Sequence, residues 1–351
     1  MNLMQLGWDS FFEDHFKSYQ TKGFSPARIA LEERNLYLAY SEVGELTGKI
    51  TGRFRYHVVS QRDFPTVGDW VVIKGNKNTG KMTIHGVLPR KTRFIRMMTN
   101  KDKMTSEQVI SANIDVIFHV IGLDSDIHPR LIERYIAQAA TSGAALVIVL
   151  NKTDLCSDVH NREEEIKALA GAIPVVTMSA LYEVNLTSLL EYLPPRKTGT
   201  LVGLSGVGKS TIINALAGQE LQATGEVRES DARGRHVTTR RQLIMLPHGG
   251  LLIDNPGMRA FALYADEEEL ADSFEDVVGL MRQCRFTDCR HTTEPGCAIQ
   301  EALQEGTLDR DRFNNYLKLQ KELRFLALKK NKKKYRDTVR KISKSIKNRK
   351  L

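Results

Sequence analysis

Gly203-Leu204-Ser205-Gly206-Val207-Gly208-Lys209-Ser210 has the spacing GxxxxGK[ST] of a phosphate-binding loop, and Thr211 follows it. Glycines so placed let successive backbone N–H groups curl around an anion, and a helix starting at Lys209 adds its positive end. Lys209 is then expected at the β- and γ-phosphates, as a binding and catalytic residue, and the Ser210 hydroxyl on Mg²⁺. Asn151-Lys152-Thr153-Asp154 follows an apolar run and has the chemistry of a guanine reader. The Asp154 carboxylate can accept from both N1–H and the 2-amino group, a donor pair adenine lacks. Lys152 would lie across the ring face, and Asn151 would brace the loop. Ser179-Ala180 ends a further apolar segment, where a backbone N–H can meet guanine O6.

Asp254-Asn255-Pro256-Gly257 ends the apolar segment LLI. Asp254 is expected to hold Mg²⁺ through water, and the Gly257 N–H to sense the γ-phosphate. Between these motifs lies Gly234-Arg235-His236-Val237-Thr238-Thr239-Arg240, the candidate switch loop. A threonine there ligates Mg²⁺ while GTP is bound and lets go after hydrolysis; Thr238 and Thr239 are both candidates. Many GTPases place a water-orienting glutamine after DxxG. Met258 occupies that position and cannot orient water, so His236 is the candidate catalytic substitute. Gly206 stands where potassium-dependent GTPases usually carry asparagine, so no potassium site is expected.

Cys284-x4-Cys289-x-His291-x5-Cys297 is a Cys₃His set. Three soft thiolates and one imidazole suit tetrahedral Zn²⁺, and with four protein ligands the site is structural rather than catalytic. Cys156 stands apart and reads as a packing residue.

The elements that must position these groups follow from the hydrophobic pattern. Residues 1–25 are helix-like up to Ser25-Pro26. The segments RIALEE, LYLAYS, ELTGKITGRFRYHV, GDWVVIKG and KMTIHGVL read as short strands of a small barrel, which suggests an OB-fold. From about residue 106, apolar runs (DVIFHVIG, AALVIVLN, IPVVTMSA, TGTLVGLSG) alternate with helical segments, as in a mostly parallel α/β sheet. A helical segment from roughly 307 carries Tyr316, Leu319, Leu323 and Leu326 on one face, expected to pack on the zinc domain. The reading is thus a multidomain α/β chain: an extension (1–27), an OB-fold β-barrel (28–103), a P-loop GTPase domain (104–262), a helical zinc-binding domain (263–328) and a basic tail (329–351). Ordinary small GTPases run phosphate loop, switch threonine, DxxG, NKxD, SA. This chain runs NKxD, SA, phosphate loop, switch threonine, DxPG, which is a circular permutation. It makes the second switch lead straight into the Cys-rich domain.

Composition narrows the class. With 41% hydrophobic and 26% charged residues among 351, the chain is neither fibrous nor disordered. Its best apolar run, Ala144–Leu150, is far short of the roughly 20 residues that cross a bilayer. The N-terminus lacks the basic and apolar regions of a secretory signal, so a cytoplasmic protein is expected. The net charge of +9 is concentrated in Lys318–Leu351, where 15 Lys and Arg face only Glu322 and Asp337. Such a tail suits a polyanion, nucleic acid first and anionic lipid second. In the barrel, Arg53, Arg55, Tyr56, His57, Arg62, Arg90, Lys91, Arg93 and Arg96, with Phe54 and Phe94, read equally as an oligonucleotide surface or a solvated face.

Together these residues resemble the ribosome small-subunit-dependent GTPase A (RsgA, also called YjeQ) family. The resemblance runs from about 28 to 325 and includes VGDWV (Val67–Val71), LPRKTRFIR (Leu88–Arg96), ANIDVIFHV (Ala112–Val120), NKTD, GLSGVGKST, GRHVTT, DNPG and CRFTDCRHTTEPGCA. Departures are Val237 and Asn255, where the family more often shows threonine. The resemblance implies an OB-fold, a permuted GTPase domain and a zinc domain. It also implies binding to the small (30S) ribosomal subunit and its 16S rRNA near the decoding region. The implied role is late maturation with release of another assembly factor, through GTP hydrolysis stimulated by the subunit. A monomer off the ribosome is expected. Two other readings are a membrane-surface GTPase with a lipid-bound tail and a nucleic-acid-binding module whose nucleotide is structural.

Overall fold

The structure, a computed structural model, describes residues 1–33, 36–58, 60–99, 105–125, 127–204, 206–221, 241–255, 270–271, 274–286, 288–292, 294–310 and 312–321. They fall into two compact units. The described residues of the first come from Met1–Ile95, Gln108–Tyr135 and Ser142–Phe261, and those of the second from Arg96–Glu107, Ile136–Thr141 and Ala262–Leu351.

In the first unit, helix α1 (Ser10–Gln20) is started by Asp9, whose carboxylate accepts from the Phe11 N–H at 3.1 Å. Phe12 and Phe16, one turn apart, are buried, and Trp8 meets Trp70 edge to face at 4.7 Å. The N-terminal residues are therefore part of the packed unit, since aromatic area of this size drives burial.

Strands β1 (Ser25–Glu33), β2 (Leu36–Ser41) and β3 (Gly44–Ile50), helix α2 (Gly52–His57), and strands β4 (Trp70–Asn76) and β5 (Lys81–Val87) form the barrel. The order is β1-β2-β3-β5-β4, and β4 pairs back onto β1, so the sheet closes as an OB-fold. The segment expected as one strand from Glu45 to Val58 breaks at Thr51. Its hydroxyl accepts from the Phe54 N–H at 3.2 Å and caps α2 instead, because an N-cap threonine satisfies a donor that a strand would leave to solvent. Strands β6 (Arg93–Thr99) and β7 (Thr105–Ala112) pair with each other outside the barrel.

The α/β portion contains β8 (Val116–Gly122), α3 (Pro129–Ser142), β9 (Ala145–Asn151), α4 (Val159–Ala170), β10 (Val175–Thr177), α5 (Thr187–Glu191), β11 (Thr198–Val202), α6 (Lys209–Ala217), β12 (Gln242–Met245) and β13 (Leu251–Asp254). Its sheet runs β10-β9-β8-β11-β13-β12, parallel except at β12. Phe118, Val120, Val147, Val149, Leu201, Ile212 and Leu252 share one apolar core beneath it. Strand β1 pairs with β12 at Leu31–Gln242, so barrel and α/β sheet are one eleven-stranded sheet. Arg28 sits at this seam, fully buried. It donates to Leu6 O, Gly68 O (3.2 Å), Asn113 O (3.0 Å) and Thr198 Oγ1 (2.9 Å).

The second unit packs α7 (Glu275–Arg282), α8 (Ala298–Glu305) and a helical stretch over 312–321 around Phe274, Val277, Ile299, Ala302, Phe313, Tyr316 and Leu319. Arg312 clamps Asp276 with two nitrogens, at 2.6 and 2.7 Å. Tyr316 and Leu319 lie in the same cluster as Cys297, while Leu323, Leu326 and the basic tail fall outside the described residues. Among the described residues no helix is long and apolar enough to cross a membrane.

Candidate nucleotide and metal sites

Strand β11 delivers the chain into the phosphate loop, and α6 begins at Lys209 with Gly208 as its N-cap at φ 96°. Gly203 has φ 143°, and a Cβ there would lie 2.3 Å from Val120 O. One at Gly208 would lie 2.1 Å from Asn151 Nδ2. Only glycine allows these approaches. The Lys209 ammonium donates to Gly203 O (3.0 Å) and Leu204 O (2.5 Å), curled against the loop it belongs to. Burial pulls the Lys209 amine down to about 8, against the attraction of Asp254; burial likewise pushes Asp254 up to about 6, against Lys209. An ammonium and a carboxylate at the end of β13 therefore face one partly desolvated region. Ser210 and Thr211 form the next positions of α6.

Asn151 ends β9 and is buried. Its Nδ2 donates to Val207 O at 2.9 Å, and its Oδ1 accepts from the Ala180 N–H at 2.9 Å. One carboxamide thus joins NKTD, the phosphate loop and the Ser179-Ala180 turn. The Ser179 hydroxyl donates to Asp154 Oδ1, and the Thr153 N–H donates to Met178 O at 3.2 Å. Lys152 takes the left-handed conformation, φ 66°. The arrangement can present a carboxylate and a lysine stem beside an anion-binding loop, as recognition of a purine nucleotide requires.

In the second unit, the ligand atoms of Cys284, Cys289, His291 and Cys297 all lie within 4.8 Å of one another. Cys284 Sγ and Cys297 Sγ are 3.9 Å apart, and each is 3.5 Å from His291 Nδ1. Zn–S bonds of ~2.3 Å imply tetrahedral edges of ~3.8 Å, so the spacing fits that ion. Desolvation and the neighbouring thiols push the Cys289 thiol up to about 11, a crowding that a bound cation relieves.

The RsgA GTPase family profile matches residues 87–264, and the Small ribosomal subunit biogenesis GTPase RsgA of Opitutus terrae is 42% identical over 338 residues, covering 93% of this chain and 91% of that protein. The chain belongs to the RsgA GTPase family. Membership makes it a GTP hydrolase. The crystal structure of YjeQ from Thermotoga maritima superimposes with a TM-score of 0.59 at 28% identity, covering 86% of this chain and 98% of that one. YloQ, a circularly permuted GTPase, shares the fold with a TM-score of 0.55 at 22% identity over 86% of this chain and 95% of its own. A profile of ABC transporters also matches, over residues 186–343. That stretch contains Gly203–Ser210, and phosphate loops are shared by many nucleotide hydrolases.

In this RsgA family member several groups near the site have no motif to announce them. Asn255, chemically silent in the sequence, is buried and donates to Thr200 Oγ1 (2.7 Å) and Ser111 Oγ (3.4 Å), pinning the end of β13 to β11 and β7. Tyr135 on α3 is buried with its phenol hydrogen-bonded to the Gly203 backbone. Its ring lies 4.1 Å from that of His119, which burial and Lys209 hold neutral, with a pKa down to about 3. In the barrel, Arg90 is not a free cation. It forms a two-point pair with buried Asp69 (both 2.7 Å) and donates to Arg62 O and Phe64 O. Lys91 pairs with Asp9, and Phe94 is wholly buried. Arg53, Arg55, Tyr56 and His57 remain exposed on α2. Ser205, His236, Val237, Thr238, Thr239, Gly257 and Met258 lie outside the described residues.

Proposed function

We propose that this chain is a GTP-driven assembly factor for the small ribosomal subunit. It would bind that subunit and its 16S rRNA, hydrolyse GTP to GDP and phosphate, and assist late maturation and release of other factors. The observation that carries the nucleotide half is the Asn151 carboxamide, which links base-reading loop, Ser-Ala turn and phosphate loop. The names of the relatives and the basic C-terminal segment support the ribosomal half.

In this reading GTP is held by Asn151–Asp154, Ser179 and Ala180, Gly203–Thr211, Asp254 and Gly257. Mg²⁺ would be held by Ser210, Asp254 and either Thr238 or Thr239, and when bound it neutralises phosphate charge. Lys209 stabilises charge on the transferred phosphate, and His236 orients the attacking water. Zn²⁺ on Cys284, Cys289, His291 and Cys297 is structural. The functional segments are 1–27, 28–103, 104–262, 263–328 and 329–351, and the protein works in the cytoplasm as a monomer away from membranes.

GTP hydrolysis measured with purified small subunits, large subunits or neither tests this reading. Strong stimulation by small subunits alone is expected. Equal rates in all three, with GTP bound, would remove the ribosomal partner. His236→Ala should then lower turnover while leaving GTP affinity in place, and retained turnover would dismiss that residue.

A further inference from the structure

A lysine reads a base by laying its hydrocarbon stem against the ring, and four rotatable bonds must be frozen to do it. Lys152 is held at both ends. Its backbone is left-handed, and its ammonium is 2.5 Å from Asp124 Oδ2. Both side chains are partly shielded, at 25% and 34% exposure.

The turn after β8 fixes Asp124. The Leu123 N–H donates to Asn151 O at 2.9 Å, so this turn is tied to the residue that precedes Lys152. The Ser125 hydroxyl donates to Gly122 O at 3.1 Å and closes it. Gly122 leaves room for the carboxylate: a Cβ there would come 2.5 Å from Asp124 Oδ1. Three local constraints thus place one negative charge where the lysine ends.

We propose that Asp124 is a positioning residue for base recognition. It presets the Lys152 stem for the guanine face, so that less rotamer freedom is lost when nucleotide binds. A base stacked on the stem would also exclude water from the ion pair and strengthen it. The inference rests on reading Asn151–Asp154 as the base-binding loop. Asp124 has its role through the Lys152 head alone, so it should act on affinity and not on the chemical step.

The test is stopped-flow binding of fluorescent GDP, with steady-state GTPase rates, on full-length wild type, Asp124→Asn, Asp124→Ala, Asp124→Glu, Lys152→Ala and the Asp124→Ala/Lys152→Ala pair. Zinc content and melting temperature check that each is folded. Asp124→Ala and Asp124→Asn should weaken GDP by about three- to tenfold, mainly through faster dissociation, with KM raised and kcat unchanged. Asp124→Glu should recover part of the loss. The double variant should bind no worse than Lys152→Ala, because the two residues act as one unit. Wild-type or tighter GDP binding by Asp124→Ala would overturn the proposal, as would losses that add in the double variant. Failure of the underlying reading looks different: the wild type would then bind ADP as well as GDP.

Discussion

Asn151 and Val207 stand 56 residues apart and are joined by one hydrogen bond, Nδ2 to carbonyl oxygen at 2.9 Å. With the Ala180 N–H on its other end, the carboxamide ties the Asn151–Asp154, Ser179-Ala180 and Gly203–Ser210 segments together. Asn151→Ala leaves a buried carbonyl and a buried N–H without this partner, at roughly 1–3 kcal/mol each. The expected result is GDP affinity lower by about tenfold to several hundredfold, together with a lower melting temperature. Titration with fluorescent GDP checks it, and an affinity within twofold of wild type would mean that the loops are held by something else.

Lys209 and Asp254 predict a pH window for nucleotide binding. Phosphate binding favours the protonated amine, so the bound state holds that proton more tightly than the free state, whose amine is already down at about 8. GDP affinity measured without Mg²⁺ should therefore be level between the two values, about pH 6 and 8, and fall above pH 8, by at most about tenfold per unit. Mg²⁺ favours the ionised carboxylate, which in the free state is up at about 6. The gain in affinity from Mg²⁺ should accordingly vanish as pH drops below 6. Lys209→Met should abolish the alkaline fall, and a fall that persists would assign it to another group.

The parts of this site that could be read from sequence are those whose chemistry lies in consecutive residues. Gly203–Ser210 and Asn151–Asp154 are each a motif of consecutive residues, and the phosphate-loop pattern needs only a strand before it and a helix after it, which β11 and α6 supply. Asn255 and Tyr135 were not legible, because their partners (Ser111, Thr200, the Gly203 backbone) lie about 55 to 145 residues away. Arg90 was misleading for a related reason. Its sequence neighbours are basic, but its partner is Asp69, 21 residues back and buried. The barrel was legible as short alternating strands, whereas α2 depended on one threonine acting as a cap.

The Cys₃His cluster predicts selective unfolding. In zinc-finger peptides metal binding contributes ~10–16 kcal/mol, enough to decide whether a small unit folds. Stripping the protein with a strong chelator should release one equivalent of Zn²⁺ and remove amide protection from α7 and α8. Strands β9 and β11 should stay protected, since their core is the separate cluster around Phe118 and Leu201. Hydrogen exchange read by mass spectrometry distinguishes this from global unfolding. Full protection of α7 and α8 after metal loss would show that Phe274, Ile299 and Phe313 suffice alone.

Arg28 predicts a stability effect at the seam between barrel and GTPase sheet. Its guanidinium is buried, among the described residues no carboxylate touches it, and burial lowers its pKa to about 10 while Asp115 and Asp69 hold it up. Arg28→Met would fill much of the space but leave Leu6 O, Asn113 O and Thr198 Oγ1 without this donor. Gly68 O keeps the Asn113 amide at 3.0 Å. Losing several charge-assisted bonds from one buried group should destabilise the first unit by ~3–5 kcal/mol. Arg28→Lys should fall between, having three donors on a thinner, less planar head. The chain's two tryptophans report on the spot: Trp8 and Trp70 touch, and the guanidinium carbon is 5.8 Å from the Trp70 ring centroid. Their fluorescence should shift and lose its cooperative melt at lower temperature in Arg28→Met. Because Thr198 opens the strand that leads to the phosphate loop, GDP affinity should fall in the same variant. An unchanged melt would show that β1–β12 pairing alone holds the seam, and a lower melt with normal GDP affinity would confine Arg28 to the barrel side.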